Sequence, residues 1–143
     1  MSKLRLEREF PVSPERVFAF VTEPAQLLRW WGHEGSVVTE HRLDFSKTGE
    51  WLSVLMTANG NTHKVSGKVL AVDPPHSVEF TWAWHDANDE RGHNSTVRFE
   101  VTPNGRGGTS FAMIHSGLLN EESVANNREG WTSTFNKLER TIQ

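Results

Sequence analysis

His115 stands in "FAMIHSGL", where an alternating apolar run gives way to a segment of helical pattern. An imidazole at such a corner can bond a ligand carbonyl or move a proton, because its ordinary pKa of ~6.5 lies near neutrality. It can equally hold the corner together, and that structural role is the favoured reading, so His115 is a weak catalytic candidate. Arg8 falls on the apolar face of "KLRLEREF". A cation on that face needs a partner: an anionic ligand group, a carboxylate such as Glu129, or water at the rim. His85 and His93 flank the loop "DANDERGHN" with Asp86, Asp89 and Glu90 between them. Imidazole and carboxylate suit divalent ions, but no H-E-x-x-H or similar spacing is present, and a polar loop explains the composition. No metal or other cofactor is expected. No Ser-His-Asp order, phosphate loop or paired-carboxylate motif stands out, and "GRGG" reads as a turn.

The aromatic residues carry the other signal. The chain has six tryptophans and eight phenylalanines but no tyrosine. "FTWAWHD" places Phe80, Trp82 and Trp84 at alternate positions, which is one face of a strand. Trp30 and Trp31 close a short helical segment beside Gly32. Adjacent side chains on a helix point about 100° apart, so one indole is expected inside and the other at a cavity mouth or a partner surface. Trp131 in "EGWTSTF" is expected to anchor a helix on the sheet, with its N–H seeking an acceptor.

Those residues must be positioned by the elements around them. "KLRLEREF" alternates as a half-buried strand. Ser13 is a helix N-cap with Pro14 at the first helical position, and Val17, Phe18 and Val21 follow at inward-facing spacing. Pro24 starts a second short helix. Six strands are then expected, in "SVVTEHRLDF", "TGEWLSVLMTA", "THKVSGKVLAV", "VEFTWAWH", "STVRFEV" and "TSFAMIHS". Asn59-Gly60 is a strong hairpin signal. From about Asn120 to Ile142 the pattern is helical, with Leu118, Val124, Trp131, Phe135, Leu138 and Ile142 near one stripe. Consecutive hairpins make an antiparallel sheet, and the stripe has no other large surface to cover.

Register can be tested against the pattern. Pairing Phe99 with Phe111, Phe80 with Phe99, and Phe80 with Val69 gives a continuous apolar face, which a one-residue slip would destroy. On that face Gly67 lies opposite Trp82 and leaves room for a neighbour. A two-residue Asn59-Gly60 turn puts Leu52, Val54 and Met56 on the same face and Trp51 on the other. A bulge reverses this, so the face of Trp51 is open.

The length of 143 residues suits a single domain over residues 1–143. The net charge of −3 and the lack of a basic run argue against nucleic acid. The absence of cysteine excludes disulfides and thiol chemistry. "MSKLRLEREF" has no apolar signal core and no stretch is long enough to span a membrane. A cytoplasmic protein is the expectation.

"REFPVSPERVFAFVTEPAQLLRWWG", "VDPPHSVEFTW", "IHSGL" and "REGWTSTFNKLE", in this order and spacing, resemble the activator of heat-shock protein 90 ATPase homologue family. The resemblance runs from Leu4 to about Ile142. That family lies in the START/Bet v 1-like (SRPBCC) superfamily. The resemblance implies an α+β helix-grip fold: a curved seven-stranded antiparallel sheet around a long C-terminal helix, with two short helices after strand 1. It implies relatives that hold hydrophobic ligands between sheet and helix, some of them cyclases or dehydratases on aromatic polyketides. It also names a chaperone as a partner class, although in the co-chaperone a separate domain contributes much of that binding. Helix-grip surfaces often pair in relatives, so a homodimer is a further option.

Three readings follow. The first is a non-enzymatic binding domain for a small hydrophobic or aromatic molecule. Its cavity is expected among Arg8, Trp31, Val54, Val65, Phe80, Trp82, Trp84, Val97, Phe99, Phe111, Met113, His115, Trp131 and Phe135. The second is a cyclase- or dehydratase-type enzyme with His115 as acid–base and Arg8 orienting. The third is a protein-interaction module presenting Trp30 or Trp31.

Overall fold

The computed structural model describes residues 2–142; Met1 and Gln143, the bounds of the expected domain, lie outside them. Strand β1 (Ser2–Phe10) is followed by helices α1 (Pro14–Thr22) and α2 (Pro24–Leu27). Strands β2 (Val37–His41), β3 (Gly49–Met56), β4 (Thr62–Asp73), β5 (Ser77–Trp84), β6 (Ser95–Pro103) and β7 (Thr109–Leu118) come next, and helix α3 (Glu121–Thr141) ends the chain. The strands form one antiparallel sheet in the order β1-β7-β6-β5-β4-β3-β2. This is the helix-grip architecture that the resemblance implies, and it agrees with the antiparallel sheet and long C-terminal helix read from the pattern.

The helix starts are built as their sequences dictate. Ser13 Oγ accepts from Arg16 N, with Pro14 in the first turn. Asn120 caps α3 by accepting from Ser123 N at 2.9 Å. Val124, Trp131, Thr134, Phe135 and Leu138 of α3 are buried against the sheet.

The register departs from expectation at three hairpins, for identifiable reasons. In β6–β7, Phe111 faces Val101 and Phe99 faces Met113, two residues from the expected pairing. Asn104 causes this: its side-chain carbonyl accepts from Arg106 N (2.8 Å) and Gly108 N (3.1 Å) and closes a wider turn. In β5–β6, Phe80 faces Val97 rather than Phe99. Both shifts are even, so every side chain keeps its face. The β4–β5 pairs Val69–Phe80 and Val65–Trp84 are as expected.

The β3–β4 shift is odd, and it matters more. Thr57 N donates to Asn61 O and Gly60 N to Thr57 O, with Gly60 at φ 87°. That makes a three-residue loop ending in a glycine bulge, not a two-residue turn. Trp51, Ser53 and Leu55 therefore face the core, and Leu52, Val54 and Met56 face out. Val54, expected at the cavity, pairs with Lys64 on the outer face.

Gly67 sits opposite Trp51. A Cβ there would lie 1.9 Å from the Thr81 carbonyl oxygen. The bare glycine thus admits the backbone of β5, and the same carbonyl accepts the Trp51 indole N–H at 3.1 Å.

Candidate functional site

Most of the inner face is solid. Phe80 stacks on Phe45 at 4.2 Å between centroids. Phe99 meets Phe111 at 5.3 Å, and Phe111 meets Phe135 edge-on at 5.4 Å. Val97 and Met113 are fully buried in the same layer. These six expected cavity residues, from Phe80 to Phe135, pack the core and do not border the open space.

That space lies toward the N-terminal half of α3, where helix and sheet diverge, and measures about 450 Å³. Its floor is Leu55 of β3, His63 and Val65 of β4, and Trp82 and Trp84 of β5. Asn126, Asn127, Gly130, Trp131 and Thr134 of α3 form the roof, and Trp31, Gly32 and His33 close one side. Trp31, Val65, Trp82, Trp84 and Trp131 are thus the expected residues that the structure brings together around the cavity. Trp82 and Trp131 lie 5.0 Å apart, and Trp31 is about 6 Å from each. Trp84 stands at the mouth, 42% exposed, with His63 edge-on at 6.4 Å.

Several lining residues escaped the sequence reading. Leu55 was hidden by the odd register at Asn59-Gly60. Gly130 carried a usable signal: a glycine inside a helix costs about 1 kcal/mol relative to alanine, so its presence asks for a reason. Here a Cβ at Gly130 would meet nothing within 4 Å. Asn127 lies four residues before Trp131 and seven before Thr134, on the buried stripe, and is polar because the stripe faces open space there. Asn126, His33 and His63 have no local pattern that marks them.

One side of the cavity is pinned to α3. Lys137 Nζ donates to the carbonyls of Trp31 and Gly32, both at 3.1 Å. Glu34 N donates to Ser133 Oγ at 2.9 Å, and Arg140 forks onto the Glu34 carboxylate. Burial pushes the Lys137 amine below its ordinary value, and the Arg140 bond holds the Glu34 carboxyl below its own.

Trp30 and Trp31 are both buried, at 0% and 3% exposure, which corrects the expectation of one inside and one out. The segment is enclosed on two sides. Trp30 reaches back to α1, donating to Phe20 O at 2.8 Å, and Trp31 reaches the sheet, donating to Ser53 Oγ at 3.0 Å.

His115 is fully buried and does not border the cavity. Trp131 Nε1–H donates to its Nδ1 at 3.1 Å, so the imidazole proton resides on Nε2 and faces Ser95 Oγ at 2.7 Å. Ser95 in turn donates to Trp82 O at 3.1 Å. Burial pushes the His115 pKa down to about 4. Every polar atom of this chain of bonds is used, and the ring is neutral at neutral pH.

Arg8 is also away from the cavity. Its Nε lies 2.6 Å from Glu139 Oε1, so the carboxylate on α3 is Glu139, not the expected Glu129.

The loop after β5 contains a bond order seen in hydrolytic triads. His85 Nδ1 bonds Asp89 Oδ1 at 2.8 Å, and His85 Nε2 bonds Ser66 Oγ at 2.7 Å. Arg91 Nε–H, however, donates to the same Ser66 Oγ at 3.0 Å, and Arg91 Nη2 donates to the Ser66 carbonyl. The set ties the loop to β4. His93 turns elsewhere, bonding Gly117 O at 2.7 Å. Among the described residues no group of three or more His, Cys, Asp or Glu could hold a metal ion. No described helix is long and apolar enough to cross a membrane.

A seven-stranded sheet gripping one long helix, with a tryptophan-walled cavity at one end, defines a helix-grip protein of the Bet v 1-like (SRPBCC) class. The family model for the activator of Hsp90 ATPase homolog 1-like protein matches residues 11–143, and the chain belongs to that family. The crystal structure of an AHSA1 protein from Silicibacter pomeroyi is 46% identical over 99% of this chain and 97% of that one, with a TM-score of 0.95. A Chromobacterium violaceum protein (20% identity, 98% and 96% coverage, TM-score 0.85) is similar in fold alone. So is one from Rhodobacter sphaeroides (24% identity, 99% and 92% coverage, TM-score 0.81). No curated protein matches the chain.

Proposed function

We propose that this chain is a binding domain for a small hydrophobic or aromatic molecule held in the cavity between β3–β5 and α3. The observation that carries the reading is the contrast within one apolar face. Most of it is filled by its own side chains, yet about 450 Å³ is left open beside Trp31, Trp82, Trp84 and Trp131. An apolar cavity with a few polar groups at its rim is the usual form of a small-molecule site.

The cyclase or dehydratase alternative rested on His115 and Arg8. Both are committed to partners in the protein, His115 to Trp131 and Ser95 and Arg8 to Glu139, which favours binding without catalysis. A chaperone partner comes from the family's description. Its expected contact residues, Trp30 and Trp31, are buried, which leaves Trp84 as the tryptophan such a partner would meet.

The test is a titration with 2-ethylnaphthalene, read by quenching of tryptophan emission, in the wild type and in Gly130→Leu. The leucine has open space to enter and occupies the cavity. Saturable binding that weakens about tenfold or more in the variant is expected, since filling the site removes the apolar contact area. Equal binding by both proteins would overturn the reading.

A further inference from the structure

Five of the six tryptophans are buried: Trp30, Trp31, Trp51, Trp82 and Trp131. A buried indole N–H ordinarily finds an acceptor. The fold supplies one to four of them. Trp30 donates to Phe20 O, Trp31 to Ser53 Oγ, Trp51 to Thr81 O and Trp131 to His115 Nδ1, all between 2.8 and 3.1 Å. Trp82 is the exception. It is 7% exposed, and its Nε1 has no hydrogen-bond partner among the described residues. It is also the buried indole at the centre of the cavity's aromatic wall, in ring contact with Trp31, Trp84 and Trp131.

Such a donor, left without a partner, costs about 1–3 kcal/mol. A fold that serves its other buried indoles and leaves this one beside the cavity is arranged for an acceptor that arrives from outside the chain. The lining adds a second constraint. It contains no Asp, Glu, Lys or Arg; His33, on the side closed by Trp31 and Gly32, and His63, beside Trp84 at the mouth, are its titratable members. A charged ligand would lose its hydration there with no counter-charge in return.

Building on the binding-domain reading, we propose that the cavity selects uncharged, flat aromatic molecules bearing a carbonyl or similar oxygen acceptor, and that Trp82 Nε1–H is the donor that recognises it. The ring of such a ligand lies in the cavity against the wall made by Trp31, Trp82 and Trp131. Nε1 is closed to bulk water, so the acceptor reaches it as the lining yields. Trp84 is the side chain that yields: it is 42% exposed and stands edge-on to Trp82 at 5.5 Å.

The experiment compares three probes of one shape: 2-acetonaphthone, 2-ethylnaphthalene and 2-naphthoate. Each is titrated calorimetrically into the wild type and Trp82→Phe. Because the hydrocarbon is intrinsically more apolar, the quantity read is the ketone-to-hydrocarbon affinity ratio, compared between the two proteins. That ratio is expected to fall about five- to tenfold in Trp82→Phe, the worth of one hydrogen bond. Naphthoate is expected to bind at least tenfold more weakly than the ketone. In the wild type, the Trp82 indole proton resonance should lie further downfield with the ketone than with the hydrocarbon, whose ring current alone moves it, a readout that needs no variant beyond its assignment. If ketone and hydrocarbon bind with the same ratio in both proteins and move the resonance alike, the Trp82 proposal is overturned while the binding domain stands; Nε1 is then served by a neighbouring ring face. If none of the three probes binds, the binding-domain reading itself fails.

Discussion

The indole N–H of Trp131 on α3 donates to Nδ1 of His115 on β7 at 3.1 Å. That one bond fixes the imidazole tautomer, docks the long helix on the sheet, and removes His115 from any acid–base role at neutral pH. Burial of the same imidazole makes the fold sensitive to acid. The folded-state pKa of about 4 lies below the unfolded value of ~6.5, so the unfolded chain binds the proton first. His115 therefore lowers stability as pH falls from 6.5 towards 4, by about 3 kcal/mol when the change is complete. Urea unfolding of the wild type and His115→Gln across that range should give curves that diverge toward neutral pH by this amount. Parallel curves would show that the ring is not held neutral.

His115→Phe keeps a ring and strands the Trp131 N–H, while the Ser95 hydroxyl keeps its bond to Trp82 O. A loss of about 1–3 kcal/mol at neutral pH is expected, for one buried donor left without a partner. Binding of 2-ethylnaphthalene, measured where the variant is folded, should persist.

Gly130→Leu should raise the melting temperature, because a strong helix former replaces glycine and its side chain enters empty space. The expected gain is about 1 kcal/mol. A cavity-filling change that stabilises the protein and abolishes binding is the signature of a site kept open at a cost in stability.

Gly67→Ala should do the opposite. The new Cβ would sit 1.9 Å from the Thr81 carbonyl oxygen, so β4 and β5 must part and the Trp51 bond to that carbonyl must lengthen. Overpacking against backbone is expected to cost about 3 kcal/mol or more, read by thermal or urea unfolding.

The two cations that pin the Trp31–Glu34 segment should differ in weight. Arg140 and Glu34 are largely exposed, with side-chain exposures of 61% and 48%, so Arg140→Gln should leave the urea midpoint nearly unchanged. Lys137 is half-buried and serves two backbone carbonyls. Lys137→Met should cost about 2 kcal/mol and speed amide exchange through Gly32–Ser36, the segment that closes the cavity on that side.

Much of the architecture was legible because alternation and helical spacing report which face is buried. Phe80, Trp82, Val97, Phe99, Phe111 and Met113 were placed on the inner face even though two of their pairings were off by two residues, since an even shift preserves the face. Trp51 and Val54 show the limit: one glycine bulge, decided by bonds within Thr57–Asn61, exchanged their sides. The cavity was less legible than the face. Alternation says that Phe111 and Trp82 point inward, but not that one packs solidly while the other borders open space. That depends on where α3 leaves the sheet, and on Gly130 and Asn127 across from them. Arg8 and His115 were read as inward polar groups, and their partners Glu139 and Trp131 became known only when the helix was docked.

The most direct measurement is a crystal structure of the protein grown with 2-acetonaphthone. Density for the naphthalene ring is expected in the cavity against the open sides of Trp82 and Trp131, with the ketone oxygen within hydrogen-bond distance of Trp82 Nε1 and Trp84 displaced from its edge-on contact. An empty cavity at saturating ligand, or a ring bound only on the outer surface, would contradict the account.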